Sequence, residues 1–301
     1  MSRTPSTLGA WVLAIRPKTL PAAGAPVVLA TGIAASRDVM SLLPASAALV
    51  GALLIQIATN LANDYFDHRK GTDTEERLGP IRVVQAGLLS PEAVFRATLW
   101  VLAAATLVGA YLVWVGGIPI LATGLLSLVC ALAYSGGPFP LASHGLGDLF
   151  VFVFFGLVAV GGSYWVQALD FTGDLLVAGA GIGALTTAIL VVNNLRDIPT
   201  DARAGRRTLA VRLGRKGSQV EYTALLVTAA AAPIVGVFFF DWSPWTLVGL
   251  VAFARAFAPA SAVWSFDDPR ELNPALGGTA RVVAWYGGLM AVGFLLGAAG
   301  G

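Results

Sequence analysis

The stretch "NLANDYFDHRKGTDTEERLG", residues 60–79, decides how the chain is read. It closes an apolar run near 42–64, long enough to cross a bilayer as a helix. Acids at a helix C-terminus oppose the macrodipole. Carboxylates near membrane depth are costly unless they are paired or bind something. Residues three, four and seven apart share a helix face, so Asn60, Asp64 and Asp67 line one side of this helix end. The pattern recurs in "VVNNLRDIPTDARAGRRTLAVRLG", residues 191–214, where Asn193, Asp197 and Asp201 fall on one face. Gly71 follows the first set and Gly205 the second. This weak internal repeat predicts two similar half-sites facing one cavity.

Working outward, the 301 residues are 56% hydrophobic and only 12% charged, with a mean hydropathy of +0.76. Soluble domains carry about 25% charged residues, so a solvated globule is excluded. The reading is an all-α integral membrane protein, one domain over 1–301. Nine spans are expected near 20–35, 42–64, 92–115, 118–134, 146–167, 175–195, 219–240, 245–264 and 280–299. Tight turns are expected at Gly116-Gly117 and at 241–244, and polar loops near 65–91, 135–145, 196–218 and 265–279. The first apolar segment reads as retained, because no small-residue cleavage site stands out. Lys and Arg concentrate at the N-terminus and in the two long loops, which places these in the cytoplasm. Arg37 alone falls outside, and Arg255 lies within the eighth span without an evident partner. Cys130 is solitary, which excludes a disulfide framework or thiol metal site. His68 and His144 lack metal-ligand spacing.

Two converging sets of carboxylates would repel one another. Divalent cations remove that repulsion. Donors that are all oxygen favour Mg²⁺, which takes one or two carboxylates and completes its shell with water and phosphate oxygens. Two acidic clusters imply two ions, with a diphosphate bridging them. The cations Lys70, Arg77, Arg82, Arg206 and Arg207 are candidates for the remaining diphosphate oxygens. "YSGGPFPL", 134–141, offers the hydroxyls of Tyr134 and Ser135 as a third wall. Gln56, one turn before Asn60, is placed in the cavity. Asp148 opens the fifth span, either as a helix N-terminal acid or as a site residue. A different class, a cation-coupled transporter, would instead set its acids near the midplane on broken helices.

At this point the residues resemble a known family. The two acidic motifs are similar to those of the UbiA superfamily of intramembrane aromatic prenyltransferases. "RPKTLPAAGAPV" (16–27), "YSGGPFPL" and "GLGDLFVFVFFGLVAVGGSYWVQ" (145–167) resemble its 1,4-dihydroxy-2-naphthoate polyprenyltransferase branch in menaquinone biosynthesis. The likeness runs with motifs from about 11 to 216, and Asp148 stands where glutamate is expected. The resemblance implies nine helices around a central cavity. It implies Mg²⁺ held by Asn60, Asp64, Asp67, Asn193, Asp197 and Asp201, with the four aspartates catalytic. It also implies diphosphate contacts from Tyr134, Ser135 and the loop cations. The substrates would be a polyprenyl diphosphate and 1,4-dihydroxy-2-naphthoate, with 4-hydroxybenzoate or homogentisate as other acceptors. Arg16 or Lys18 would hold the acceptor carboxylate, with Gln56 and Asp148 nearby. The expected setting is the inner (cytoplasmic) membrane, with the site facing the cytoplasm. No nucleic acid and no obligate protein partner are implied.

Overall fold

The computed structural model describes residues 5–70, 78–79, 82–135 and 141–300; the side chains of residues 70, 128 and 131–135 stand outside that description. Every long element is a helix, as lipid demands of a backbone that must satisfy its own hydrogen bonds. In chain order these are α1 (Thr7–Ile15), α2 (Leu20–Ser36), α3 (Leu42–Lys70), α4 (Pro91–Ser135), α5 (Gly147–Phe152), α6 (Ala159–Ala168), α7 (Asp174–Arg203), α8 (Leu209–Phe239), α9 (Phe257–Ser265) and α10 (Leu272–Ala299). A π-helical segment, Val153–Val158, joins α5 to α6, and a 3₁₀ segment, Pro244–Arg255, leads into α9. Among the described residues, seven helical stretches are long and apolar enough to cross a membrane. The count is eight when Pro244–Arg255 and α9, bent by 43°, are taken as one broken span.

Helix α4 is interrupted. Its 45 residues would measure about 68 Å if straight, twice the hydrocarbon thickness of a bilayer. Gly117 breaks it with φ 68° and ψ −152°, two residues before Pro119. The sequence expected a turn there. The preceding carbonyl, of Gly116, accepts a hydrogen bond from the Trp165 indole of α6 at 2.8 Å.

Helix α7 is the axis of the bundle and the most enclosed of the spans. It packs against α8, α10 and the π-helical segment. Its main core joins Leu29 and Ile33 of α2, Val160 and Tyr164 of α6, Ile182 and Leu185 of α7, and Tyr286 and Met290 of α10. Where α7 meets the π-helical segment the backbones touch. A Cβ on Gly183 would lie 2.8 Å from both the Gly156 Cα and the Phe152 carbonyl oxygen. Small residues of this kind let helices approach closely in lipid.

The polar stretches are more helical than their composition predicts. The loop expected near 196–218 is helical through Arg203 and again from Leu209, which leaves only 204–208 between. Helix α3 likewise runs on to Lys70, and α10 starts at Leu272, inside the loop expected near 265–279. Polarity marks where a helix leaves the apolar layer, not where its hydrogen bonds stop. Helix α1 was not expected. Ser6 caps it by accepting from the Gly9 N–H, and Arg16 ends it in the left-handed conformation. Its Ala10 and Ala14 pack on Leu61, Val83 and Val94, beside the end of α3.

Candidate active site

The first acidic face is tied into its surroundings. Asn60, buried, donates to the Ile15 carbonyl at 2.8 Å and to the Thr19 hydroxyl at 3.0 Å. It thereby fixes the turn that carries Arg16, Pro17 and Lys18. The Lys18 side chain lies against Gly277 of α10. Gln56, one turn earlier, makes long contacts to Thr19 (3.4 Å) and to the Asn60 oxygen (3.5 Å). Asp64 is 1% exposed and accepts from the backbone N–H groups of Val83 and Val84 at 3.1 and 3.3 Å. This anchors the 82–89 turn on the helix end. Arg82, on that turn, meets Asp67 at 2.6 Å.

The second face is organised around Arg196, which is 1% exposed. Its guanidinium grips both oxygens of Asp197, at 2.8 and 2.6 Å. It donates also to Asn193 at 2.8 Å and to Asn273 of α10 at 2.9 Å. The planar fork suits such bidentate holding of a carboxylate. One turn on, Asp201 is buried and pairs with Arg206 at 3.4 Å.

The chain that follows the first face reaches this arginine. Asn273 donates its amide to the Leu78 carbonyl at 2.9 Å. A Cβ on Gly79 would stand 2.8 Å from the Arg196 Nη2. The chain leaving the first motif therefore lies directly on the side chain that orders the second. Nearby, the Arg207 N–H donates to the Ser143 carbonyl and Arg212 to the His144 carbonyl, so the start of α8 clasps the 141–145 turn.

Of the residues singled out in the sequence, Asn60, Asp64, Asp67 and Arg82 are gathered at the end of α3. Asn193, Asp197, Asp201 and Arg206 are gathered at the end of α7. Arg207 is exposed. Asp148 is buried at the start of α5, with its Oδ2 lacking a hydrogen bond among the described residues. Its charged neighbour is Glu221 of α8. Arg77 lies outside the described residues, as do the side chains of Lys70, Tyr134 and Ser135. Two organising residues were missed by sequence reasoning. Arg196 reads as one more loop cation, although its place between Asn193 and Asp197 is a usable signal. Asn273 carries none, being a lone amide 72 residues beyond the second motif.

The donor set can be tested against magnesium. No group of three or more His, Cys, Asp or Glu side chains converges among the described residues. Asp67 and Asp197 have side chains 22% exposed, and Asp201 11%. Each has a guanidinium on one side, and an ionised carboxylate offers about four lone-pair sites. Oxygen donors with spare lone pairs, set one or two at a time, fit an ion that draws the rest of its shell from water and phosphate.

Residues 24–285 match the family model described as the UbiA prenyltransferase family. The chain belongs to that family. It is thus a prenyltransferase embedded in membrane through multiple helices. It is 42% identical over 266 residues to the 1,4-dihydroxy-2-naphthoate octaprenyltransferase of Mycobacterium tuberculosis, covering 88% of this chain and 90% of that one. The enzymes of the same name from Haemophilus influenzae and Escherichia coli are 35% and 36% identical. They cover 95% and 90% of this chain, and 96% and 90% of their own. Among solved structures, the apo UbiA homolog from Aeropyrum pernix K1 superposes with a TM-score of 0.68 at 18% identity, over 90% of this chain and 97% of that one. The Archaeoglobus fulgidus homolog bound to GPP and Mg²⁺ superposes at 0.60 and 14% identity, over 93% and 99%. The UbiA fold of this chain is therefore established over most of its length.

Proposed function

We propose that this UbiA-family protein transfers a polyprenyl group from an allylic diphosphate to 1,4-dihydroxy-2-naphthoate, releasing diphosphate and CO₂. The observation that carries the reading is the Arg196–Asn273–Leu78 clasp, which brings both acidic motifs to one end of the bundle. The acceptor is inferred from the naphthoate enzymes it resembles over most of its length.

Asp67, Asp197 and Asp201 are the open ligands for two magnesium ions, with Asn60, Asp64 and Asn193 set behind them. When bound, magnesium would offset the charge that develops on the leaving diphosphate. Arg82 and Arg206, already oriented by Asp67 and Asp201, are placed to hold diphosphate oxygens. Lys70, Arg77, Arg207, Tyr134 and Ser135 are further candidates for that role. The apolar helices keep water from the allylic cation as its C–O bond breaks. The electron-rich ring then forms the new C–C bond at the carbon bearing the carboxylate. Loss of CO₂ returns the bonding pair to the ring, so no base is needed for a ring proton. Arg16 and Lys18, on the turn that Asn60 fixes, are set to hold the acceptor carboxylate, with Gln56 and Asp148 nearby.

We read α4 as two spans folded at Gly117 and the bent pair as one, which makes nine in a single membrane unit. The N-terminus and the site then share the cytoplasmic side of the cell membrane, as the Lys and Arg distribution favours. Cation-coupled transport fits less well, because the acids sit at the ends of α3 and α7 and not at a midplane break. The test is purified protein with a radiolabelled polyprenyl diphosphate, Mg²⁺ and a panel of aromatic acids. The expected result is a prenylated, decarboxylated naphthoate product. Turnover restricted to 4-hydroxybenzoate or homogentisate would overturn the acceptor. Cation flux in liposomes without a prenyl donor would overturn the reaction.

A further inference from the structure

Where α8 enters the apolar layer its charge is one-sided. Residues 202–220 carry no Asp or Glu. Arg212, Arg215 and Lys216 are exposed there, around Gly214, whose φ of 67° breaks the helix. None of the three has a place in the site described above, and none is paired with a carboxylate among the described residues. Neutral groups hold two of them. The Arg212 guanidinium donates to the carbonyls of His144 and Arg207 at 2.8 and 3.2 Å. Arg215 donates to the Phe266 carbonyl and lies over the Phe266 ring, 3.9 Å from its centroid. Both guanidiniums are fixed in place while their charge is left over.

Their depth follows from helix geometry. Helix α8 ends at Phe239, at the far end of the bundle, where Trp242 meets Asp174. At 1.5 Å per residue Arg215 and Lys216 are about 35 Å along α8 from Phe239. A tilt of about 20° shortens this to about 33 Å. The hydrocarbon core is about 30 Å thick and the bilayer with its headgroups about 40–45 Å, so both residues stand in the headgroup layer. The Arg215 guanidinium stays at that level, because it rests on Phe266. Pro259 packs on Gly278, so Phe266, seven residues beyond Pro259, is level with the start of α10. That start, Leu272, is about 33 Å along α10 from Phe294, whose ring meets Trp242 at the far end. The Arg212 guanidinium is tied to the turn just before Gly147, where the span of α5 and α6 begins.

The surface below these cations is apolar. Lys216 is one helical turn before Val220, and Val227 lies two turns further along the same face. The two valines are 60% and 62% exposed, which turns this face of α8 to lipid.

We infer that Arg212, Arg215 and Lys216 form a binding surface for the headgroup of an anionic phospholipid, with an acyl chain along Val220 and Val227. A phosphate in the headgroup layer is level with all three cations, and the chain below it has the valine face to lie on. Three cations without a counter-charge favour a lipid of net negative charge over a zwitterionic one, whose ammonium they repel. The carbonyl anchors pre-orient the two guanidiniums, which lowers the entropic cost of engaging the phosphate.

The experiment uses the full-length protein in nanodiscs containing equal amounts of phosphatidylglycerol and phosphatidylcholine. Lipids retained after release are read by native mass spectrometry. Wild type is expected to retain phosphatidylglycerol preferentially, by about fivefold for each cation engaged. Lys216→Gln should lower that ratio by about fivefold, and the triple variant Arg212→Gln, Arg215→Gln, Lys216→Gln should bring it close to one. Arg212 and Arg215 also tie down two turns, so Lys216→Gln, which breaks no such tie, carries the test if the triple variant does not fold. Absence of a preference in wild type would overturn the surface. So would a wild-type ratio in Lys216→Gln, or a preference that persists in a folded triple variant.

Discussion

Arg196 is the residue on which the site's geometry turns. Fully buried, it satisfies Asn193, Asp197 and Asn273 at once and bears on Gly79. Arg196→Ala leaves the Asp197 charge without its partner and releases the chain at 78–79. Breaking a buried pair in this way costs about 3–5 kcal/mol, and misplacement of reacting groups costs about a hundredfold in rate. A thermal melt in detergent should show the first and single-turnover prenyl transfer the second. Arg196→Lys keeps the charge but not the fork, so it should stay folded and remain at least tenfold slower than wild type. A lysine variant with wild-type turnover would remove the organising role.

The acids that surround it invite a sharper comparison. Asp67→Asn should abolish magnesium-dependent turnover with little change in the melt, because Asp67 is partly open. Asp64→Asn should lower both, because Asp64 anchors the 82–89 turn from within the helix end. At the opposite end of the bundle, Arg37 donates to Thr172 at 2.8 Å and to Asp174 at 2.5 Å, and the Trp242 indole donates to the same carboxylate at 2.8 Å. This latch joins α2, α7 and the turn after α8 far from any chemistry. Trp242→Phe should therefore lower stability by about 1–3 kcal/mol and leave turnover per folded molecule unchanged.

At the scale of elements, the interruption of α4 makes a topological prediction. If Gly117 folds two spans against each other, position 118 faces the membrane side opposite Pro91. In a Cys130→Ser background, Ile118→Cys should react with an impermeant thiol reagent from the opposite side to Glu92→Cys. Labelling of both from one side would reduce the span count. The contact of α7 with the π-helical segment makes a packing prediction. Gly183→Ala drives a methyl into two backbone atoms at 2.8 Å, where overpacking costs about 1–3 kcal/mol. Gly162→Ala, which meets nothing within 4 Å, is the matched control and should be neutral. Helix α1 and the short 204–208 break show what periodicity and polarity miss. A brief helix on the bundle's end leaves little apolar signal, and a helix that emerges into water keeps its backbone bonds while its side chains turn polar.

At the scale of the whole molecule, the metal prediction is the simplest. EDTA should remove prenyl transfer, and added Mg²⁺ should restore it without refolding, since the bundle is held by α7 and its apolar partners and not by the ions. Loss of the folded state on chelation would mean that the metals are structural. That the chain is a helical membrane protein follows from its apolar runs alone, because only helices can carry so many consecutive apolar residues through lipid. The sequence also marks two acidic helix ends as important, because carboxylates are not kept at such positions without a counter-charge. How the chain beyond one end is tied to the other is visible only in the folded bundle. Arg196, Asn273 and Leu78 are separated by up to 195 residues, and nothing in local pattern pairs them. Hydrogen bonds of this kind depend on where helices cross, which is set by packing around α7 and not by any one segment's own preference.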